Sequence, residues 1–130
     1  MLKKGGTDKS KIGYLRDHCS DNTLFVALTE THLDPSVNNA EVAMGGYDCI
    51  RSDRLNRGGG GALLYVRCGV SYKLLWSFSN SVCEAVVVEM LDPAVIVVVI
   101  YRPPDTVVRE FADVLDGLNR VLFSPLFLLR

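Results

Sequence analysis

Apolar and polar residues follow one another along the chain in two patterns, and each pattern predicts a type of element. Short apolar runs rich in valine, leucine and aromatic residues predict β-strands at residues 23–28, 47–52, 62–66, 70–76, 82–90 and 94–101. Apolar residues three and four positions apart predict helices at residues 10–19 and 105–122. Strands are therefore expected to fill the middle of the chain, with a helix on either side.

Capping residues and turns set the limits of these elements. Ser10 is the predicted cap of the first helix, and the second helix is expected to start at Asp105 or Thr106. The turn Asp92-Pro93 separates the last two strands so closely that they are predicted to form a hairpin.

Burial and domain boundaries follow from the same runs. The apolar run at residues 23–28 is typical of a buried strand, and residues 126–129 predict another. Residues 1–10 are polar and contain glycine, which predicts a loose N-terminal segment. The domain is then expected to comprise residues 11–130.

Composition narrows the class of protein. The hydrophobic share of 48% and the charged share of 22% are ordinary for a globular protein, and the recurring apolar runs exclude disorder. The formal net charge of −1 gives no overall basic signature of nucleic-acid binding, although a local basic face stays possible. No signal peptide or membrane-length apolar run occurs, and the four cysteines lack zinc-site spacing. We therefore expect reduced thiols in an intracellular protein, cytoplasmic or nuclear, with no membrane contact.

Two residues that follow the first apolar run are candidates for chemistry. Glu30 stands two residues after that run, where a carboxylate is a suitable oxygen ligand for Mg²⁺ or Mn²⁺. His32 lies two residues further on, close enough to contact a phosphate or act as a general acid. The alternatives are a solvated glutamate in a strand-to-loop turn and a surface histidine with a satisfied hydrogen bond.

A basic stretch and a tyrosine complete the candidates. Residues 51–57 contain three arginines, and of these Arg54 and Arg57 are candidates for contacts with a phosphate backbone. The four glycines that follow are not a nucleotide-binding P-loop, because Ala62 and Leu63 stand where Lys-Ser/Thr is required. A solvated hairpin loop is the alternative. Tyr101 ends a strand, where a phenol can bind a phosphate oxygen or simply close the edge of a core.

Six short motifs occur in a recognisable order: Leu-Thr-Glu-Thr-His-Leu-Asp at 28–34, Gly-Tyr at 46–47, Arg-Ser-Asp-Arg at 51–54, Arg-Gly-Gly-Gly-Gly at 57–61, Cys-Glu-Ala-Val-Val-Val-Glu at 83–89 and Ile-Tyr-Arg-Pro-Pro at 100–104. From about residue 11 to residue 130 the chain resembles the endonuclease/exonuclease/phosphatase superfamily. Within it, the likeness is to the N-terminal part of the endonuclease domain of non-LTR (LINE-type) retrotransposons.

The resemblance implies an α/β (α+β) fold, as part of a four-layer α/β/β/α sandwich of two sheets between helices. It implies Mg²⁺- or Mn²⁺-dependent hydrolysis of a DNA phosphodiester by an activated water. Glu30 matches the metal-binding glutamate of the family, and Tyr101 matches the tyrosine that contacts the scissile phosphate. His32, Arg54 and Arg57 are weaker candidates for substrate binding.

The chain also departs from the family pattern. Residues 1–13 contain no asparagine, whereas the family opens with a strand whose asparagine helps to hold the metal. The family's Gly-Asp-Phe-Asn and Ser-Asp-His segments, expected after residues 125–129, are missing as well. We therefore expect a truncated domain that binds the cation weakly or not at all, has no activity by itself and self-associates through unpaired strand edges. The alternatives are a non-catalytic DNA- or protein-binding remnant and a metal-dependent phosphatase of the same superfamily.

Overall fold

The computed structural model describes residues 9–19, 22–55 and 57–124. Its elements are, in order, α1 (Lys9–His18), β1 (Phe25–Thr29), a short 3-10 helix (Asn39–Val42), β2 (Tyr47–Ser52), β3 (Ala62–Arg67), β4 (Tyr72–Ser79), β5 (Glu84–Leu91), β6 (Ala94–Tyr101) and α2 (Val108–Leu122). The strands form two three-stranded antiparallel sheets, sheet A in the order β1-β3-β2 and sheet B in the order β4-β5-β6. The mixed α+β class is confirmed. The strand predicted at 126–129 lies outside the described residues.

The two sheets face each other across an apolar core. Alternate residues of β3, among them Leu64 and Val66, cluster with Val86 and Val88 of β5 and with Val99 of β6. Each central strand lies between two others in its sheet, and its residues are buried on both faces. This double burial explains why they read as nearly continuous apolar runs.

The outer face of sheet A is covered by α1 and by the connection between β1 and β2. Leu63 and Tyr65 of β3 pack there in a second apolar cluster, to which Ile12 and Leu15 of α1 contribute. The Tyr65 hydroxyl donates a hydrogen bond to the Val42 carbonyl oxygen at 2.5 Å.

Arg51 holds the connection between β1 and β2 in place. Its guanidinium donates to the carbonyl oxygens of Val37 (2.7 Å) and Asp34 (3.0 Å), and it pairs with Asp53 at 2.6 Å. These partners saturate much of the guanidinium. Arg51 therefore serves the fold, and is not available as one of three free arginines in a basic stretch.

The expected buried strand at 23–28 is wrong in its burial. β1 alternates exposed and half-buried positions, and Phe25 keeps 40% of its surface exposed. The reason is that β1 is an edge strand in the described part of sheet A, with β3 as its neighbour. Its half-buried residues Val26 and Leu28 pack on the second cluster, and the alternate positions stay open.

Both helices begin at residues other than those expected. The described part of α1 starts at Lys9, so that Ser10 lies within the helix. α2 begins at Val108, because Thr106 uses its hydroxyl to donate to the Val82 carbonyl oxygen (3.1 Å) and Asp105 lies beside Arg57. Helix limits depend on such competing partners, which local spacing does not reveal.

The hairpin of β5 and β6 is confirmed, with Leu91 opposite Ala94 and Asp92-Pro93 as the two-residue loop. The preceding strand, β4, extends to Ser79, three residues past the expected limit. No helix among the described residues is long and apolar enough to cross a bilayer.

Candidate active site

Glu30 lies in a strained turn directly after β1. Its backbone φ is 54°, and that of His32 is 57°, so two residues other than glycine adopt the left-handed conformation. Each such residue costs about 1–2 kcal/mol, and strain of this kind persists only where surrounding contacts hold it. Here the His32 backbone N–H donates to the Gly60 carbonyl oxygen at 2.9 Å, and Thr31, which lies between Glu30 and His32, is buried.

Tyr101, the last residue of β6, meets Glu30 across the two sheets. Its hydroxyl donates a hydrogen bond to Glu30 Oε1 at 2.6 Å, although 71 positions separate the residues. The bond joins strand ends from sheet A and sheet B, so sheet packing brings the pair together.

The hydrogen bond to Glu30 raises the pKa of the Tyr101 phenol above its usual range, because the carboxylate stabilises the protonated form. Burial also raises the pKa of Tyr101, while the nearby Arg54 guanidinium lowers it. At neutral pH Tyr101 is therefore a hydrogen-bond donor and not a phenolate.

Arg54 lies beneath the Tyr101 ring, with the guanidinium carbon 5.8 Å from the ring centroid. Its Nε donates to Glu84 Oε1 at 2.8 Å, and the Glu84 side chain is only 1% exposed. Arg54 itself is mostly buried. Its contacts are thus internal to the site in this structure, whereas a direct contact with substrate remains a prediction.

Arg57 pairs outside this group, and His32 joins it through its backbone. Arg57 pairs with Asp105 at 3.4 Å, and both side chains are more than half exposed. Exposed pairs of this kind hold their geometry weakly. His32 is tied to the site through its backbone N–H, which binds Gly60.

The glycine run folds over the buried pair. Gly60 and Gly61 have φ values of +65° and +98°, which favour glycine. A Cβ on Gly60 would overlap Glu84 Oε1 and the Arg54 guanidinium, and a Cβ on Gly61 would overlap Thr31 Oγ1. The interpretation of this run as a solvated hairpin loop is therefore wrong for Gly60 and Gly61, which pack tightly.

Glu84 and Thr31 are the residues of this site that sequence reasoning missed. Glu84 is the first residue of a largely apolar strand, and an acid directly before a run of buried apolar residues indicates that it has a buried partner. No comparable signal marks Thr31. Within the part of the chain that the structure describes, Thr31 Oγ1 and Arg54 Nη2 are buried without a hydrogen-bond partner.

A polar pocket of about 440 Å³ adjoins Arg54. It lies between the connection after β2, the turn at residues 79–81 and the start of α2. Arg54 and Arg57 line it together with Asp105 and Glu110, so that the charges of these four side chains balance. The pocket therefore presents no net positive charge to a phosphate.

The side chains of the site that could act as metal ligands suit a hard divalent cation only in part. Mg²⁺ is commonly held by one or two carboxylates with water and substrate phosphate completing the shell, and Glu30 fits the role of one carboxylate. Glu84 is already occupied, since Oε1 accepts from Arg54 and from the Gly61 N–H at 2.9 Å. Residues 9–19, 22–55 and 57–124 assemble no group of three or more potential metal-binding side chains.

Comparison of the chain with models of known protein families and with curated protein sequences gave no match.

Proposed function

We propose that Glu30 and Tyr101 belong to a metal-dependent phosphodiester-cleaving site of the DNA-endonuclease type. The observation that carries the proposal is the 2.6 Å hydrogen bond between them. The resemblance to retrotransposon endonucleases singles out these two residues from separate motifs, and they are neighbours in space. A carboxylate beside a phenol supplies one group for a cation and one for a phosphate oxygen.

Each residue has a separate task in this proposal. The Tyr101 hydroxyl donates a hydrogen bond to Glu30 in the free protein, and with substrate bound it would donate to a phosphate oxygen instead. Glu30 Oε1 would then be available to hold a divalent cation. A divalent cation held there would polarise the phosphoryl oxygen and stabilise the leaving alkoxide.

The finer fold assignment belongs to the same proposal. We propose that α1, sheet A, sheet B and α2 are the four layers of an α/β/β/α sandwich. The packing of Ile12 and Leu15 beneath sheet A and the apolar core between the sheets support this order. In α2, the buried Leu122 and the half-buried Phe111 mark the face turned toward the rest of the molecule. An endonuclease of this type would act on DNA inside the cell.

A manganese titration tests the role of Glu30. Mn²⁺ broadens the nuclear magnetic resonance signals of nearby groups, and it detects weak binding as well as strong. We expect the Glu30 amide to broaden at lower Mn²⁺ than the amides of Asp113 and Asp116, two exposed carboxylates of α2. Glu30→Gln should remove this selectivity, whereas Asp113→Asn should leave it. Equal broadening at all three carboxylates would contradict the metal role.

We also infer that copies of the chain associate through β6. Within the described residues β6 is the edge of sheet B, and Val95 and Val98 are 46% and 39% exposed. Open apolar edges pair with one another, and a lysine on the edge opposes this. Size-exclusion chromatography should show concentration-dependent association that Val98→Lys reduces. The control Leu55→Lys changes an exposed apolar residue that lies outside the strands and should have no effect. A monomer at all concentrations would refute this inference.

A further inference from the structure

Glu84 is an acidic residue in a place that favours an apolar one. It is the first residue of β5, a strand whose next four residues are fully buried and apolar, and it is itself only 1% exposed. Glutamate is almost never buried to this degree unless it is paired. In the β5–β6 register Glu84 lies directly opposite Tyr101, so the two side chains are cross-strand neighbours.

One oxygen of Glu84 organises two segments at once. Oε1 accepts from Arg54 Nε at 2.8 Å and from the Gly61 backbone N–H at 2.9 Å. Through Arg54 it reaches the Tyr101 ring, over which the guanidinium lies. Through Gly61 it fixes the glycine segment.

The glycine segment in turn holds the turn that carries Glu30. The Gly60 carbonyl oxygen accepts from the His32 N–H at 2.9 Å, and Gly61 packs against Thr31. Thr31 and His32 directly follow Glu30, which is held in the left-handed conformation. Glu84 is therefore linked to both residues of the Tyr101–Glu30 hydrogen bond. It reaches Tyr101 through the Arg54 guanidinium and Glu30 through the backbone of the glycine segment.

A contribution to stability alone does not explain this arrangement. Replacing a buried ion pair with well-packed apolar residues is often neutral or stabilising, so a buried pair is weak evidence for a stabilising role. The pair instead fixes the positions of Arg54, of the glycine segment and, through that segment, of the turn that carries Glu30. All three meet at the Tyr101–Glu30 hydrogen bond.

We propose that Glu84 is a positioning residue that, through Arg54 and Gly61, holds the Tyr101 hydroxyl on Glu30. Its use in phosphodiester cleavage rests on the proposed function. The coupling between Glu84 and the Tyr101–Glu30 bond does not, and it is measured without any metal.

The test is nuclear magnetic resonance of carbon-labelled tyrosine in the whole chain, with the Tyr101 signal assigned by its loss in Tyr101→Phe. In the unchanged protein the Tyr101 Cζ signal should differ from that of a free tyrosine because its hydroxyl is bound. Glu84→Gln should move this signal toward the free value. If this variant fails to fold, Arg54→Lys serves instead, since it keeps the charge and loses the planar guanidinium, and it should move the same signal.

The matched control is Asp53→Asn. It removes the charge of Asp53 from its pair with Arg51, whose side chains are 12% and 11% exposed. The control should lower the melting temperature and leave the Tyr101 signal in place. A Tyr101 signal unchanged in folded Glu84→Gln and in Arg54→Lys would overturn the inference. Absence of selective Mn²⁺ broadening at Glu30 in the unchanged protein would instead count against the proposed function, and leave the coupling standing.

Discussion

Gly60→Ala is expected to lower the free energy of unfolding by about 3–5 kcal/mol more than Gly59→Ala does. Both glycines have positive φ, +65° and +82°, so both alanines carry the cost of the left-handed conformation, about 1–2 kcal/mol. Only the Cβ on Gly60 would meet Glu84 Oε1 and the Arg54 guanidinium. On Gly59 the nearest atom is Arg54 Nη1 at 3.8 Å, an ordinary contact.

The difference arises because the added methyl group must separate the Glu84–Arg54 pair. Glu84 is 1% exposed, so losing its partner leaves a carboxylate uncompensated in the interior. Urea unfolding followed by circular dichroism gives both free energies. If the two alanine variants are equally stable, the glycine run is an ordinary flexible connection, and the close packing described at Gly60 does not contribute to stability.

The strands that are buried on both faces could be predicted from the sequence. β3 and β5 are mostly apolar, with runs at residues 62–66 and 85–88, and the β5–β6 hairpin follows from the spacing around Asp92-Pro93. Such runs leave little choice, because their side chains must find apolar cover on both sides. β1 has a similar run and is nevertheless half exposed. Its position at the edge of a sheet depends on which strands pair, and the local pattern of apolar residues does not predict strand pairing.

Apart from Asp53, which pairs with Arg51 two residues away, the partners of the arginines could not be predicted, because they are distant in sequence. The stretch from Arg51 to Arg57 reads as a basic surface. In the fold, Arg51 binds the connection before β2, Arg54 binds Glu84, and Arg57 lies beside Asp105. Charge in a linear segment therefore overstates the charge that is free to attract a phosphate.

The candidate site was half predictable for the same reason. Glu30 and Tyr101 could be named because each ends an apolar strand within a recognisable motif. Their hydrogen bond depends on how the two sheets pack, and Glu84 became visible only through its contacts. An acid directly before a valine-rich apolar run, as Glu84 is, is the sequence signal for a buried partner of this kind.

If the proposed function is right, joining the chain to the segments that the retrotransposon-endonuclease pattern contains should produce Mg²⁺-dependent nicking of supercoiled DNA. These segments are the opening strand with its asparagine and the downstream Gly-Asp-Phe-Asn and Ser-Asp-His stretches. In the joined domain Glu30→Gln should lower the nicking rate by about 100-fold or more, because it would weaken binding of the cation that stabilises charge at the phosphate. Tyr101→Phe should also lower the rate, since the phenol is the donor to a phosphate oxygen. His32→Ala should have less effect, since its side chain has only proximity to the site in its favour.

The most direct test of the account is the nicking rate of Glu30→Gln measured beside Asp113→Asn in the same joined domain. Asp113 is an exposed carboxylate on α2, so its variant controls for the loss of a negative charge elsewhere on the surface. The chain without the added segments serves as the blank. If Glu30 holds the cation, the joined domain and Asp113→Asn should nick DNA, and Glu30→Gln should nick almost none. Equal nicking by both variants would contradict the assignment of Glu30 to the cation, and with it the proposed site.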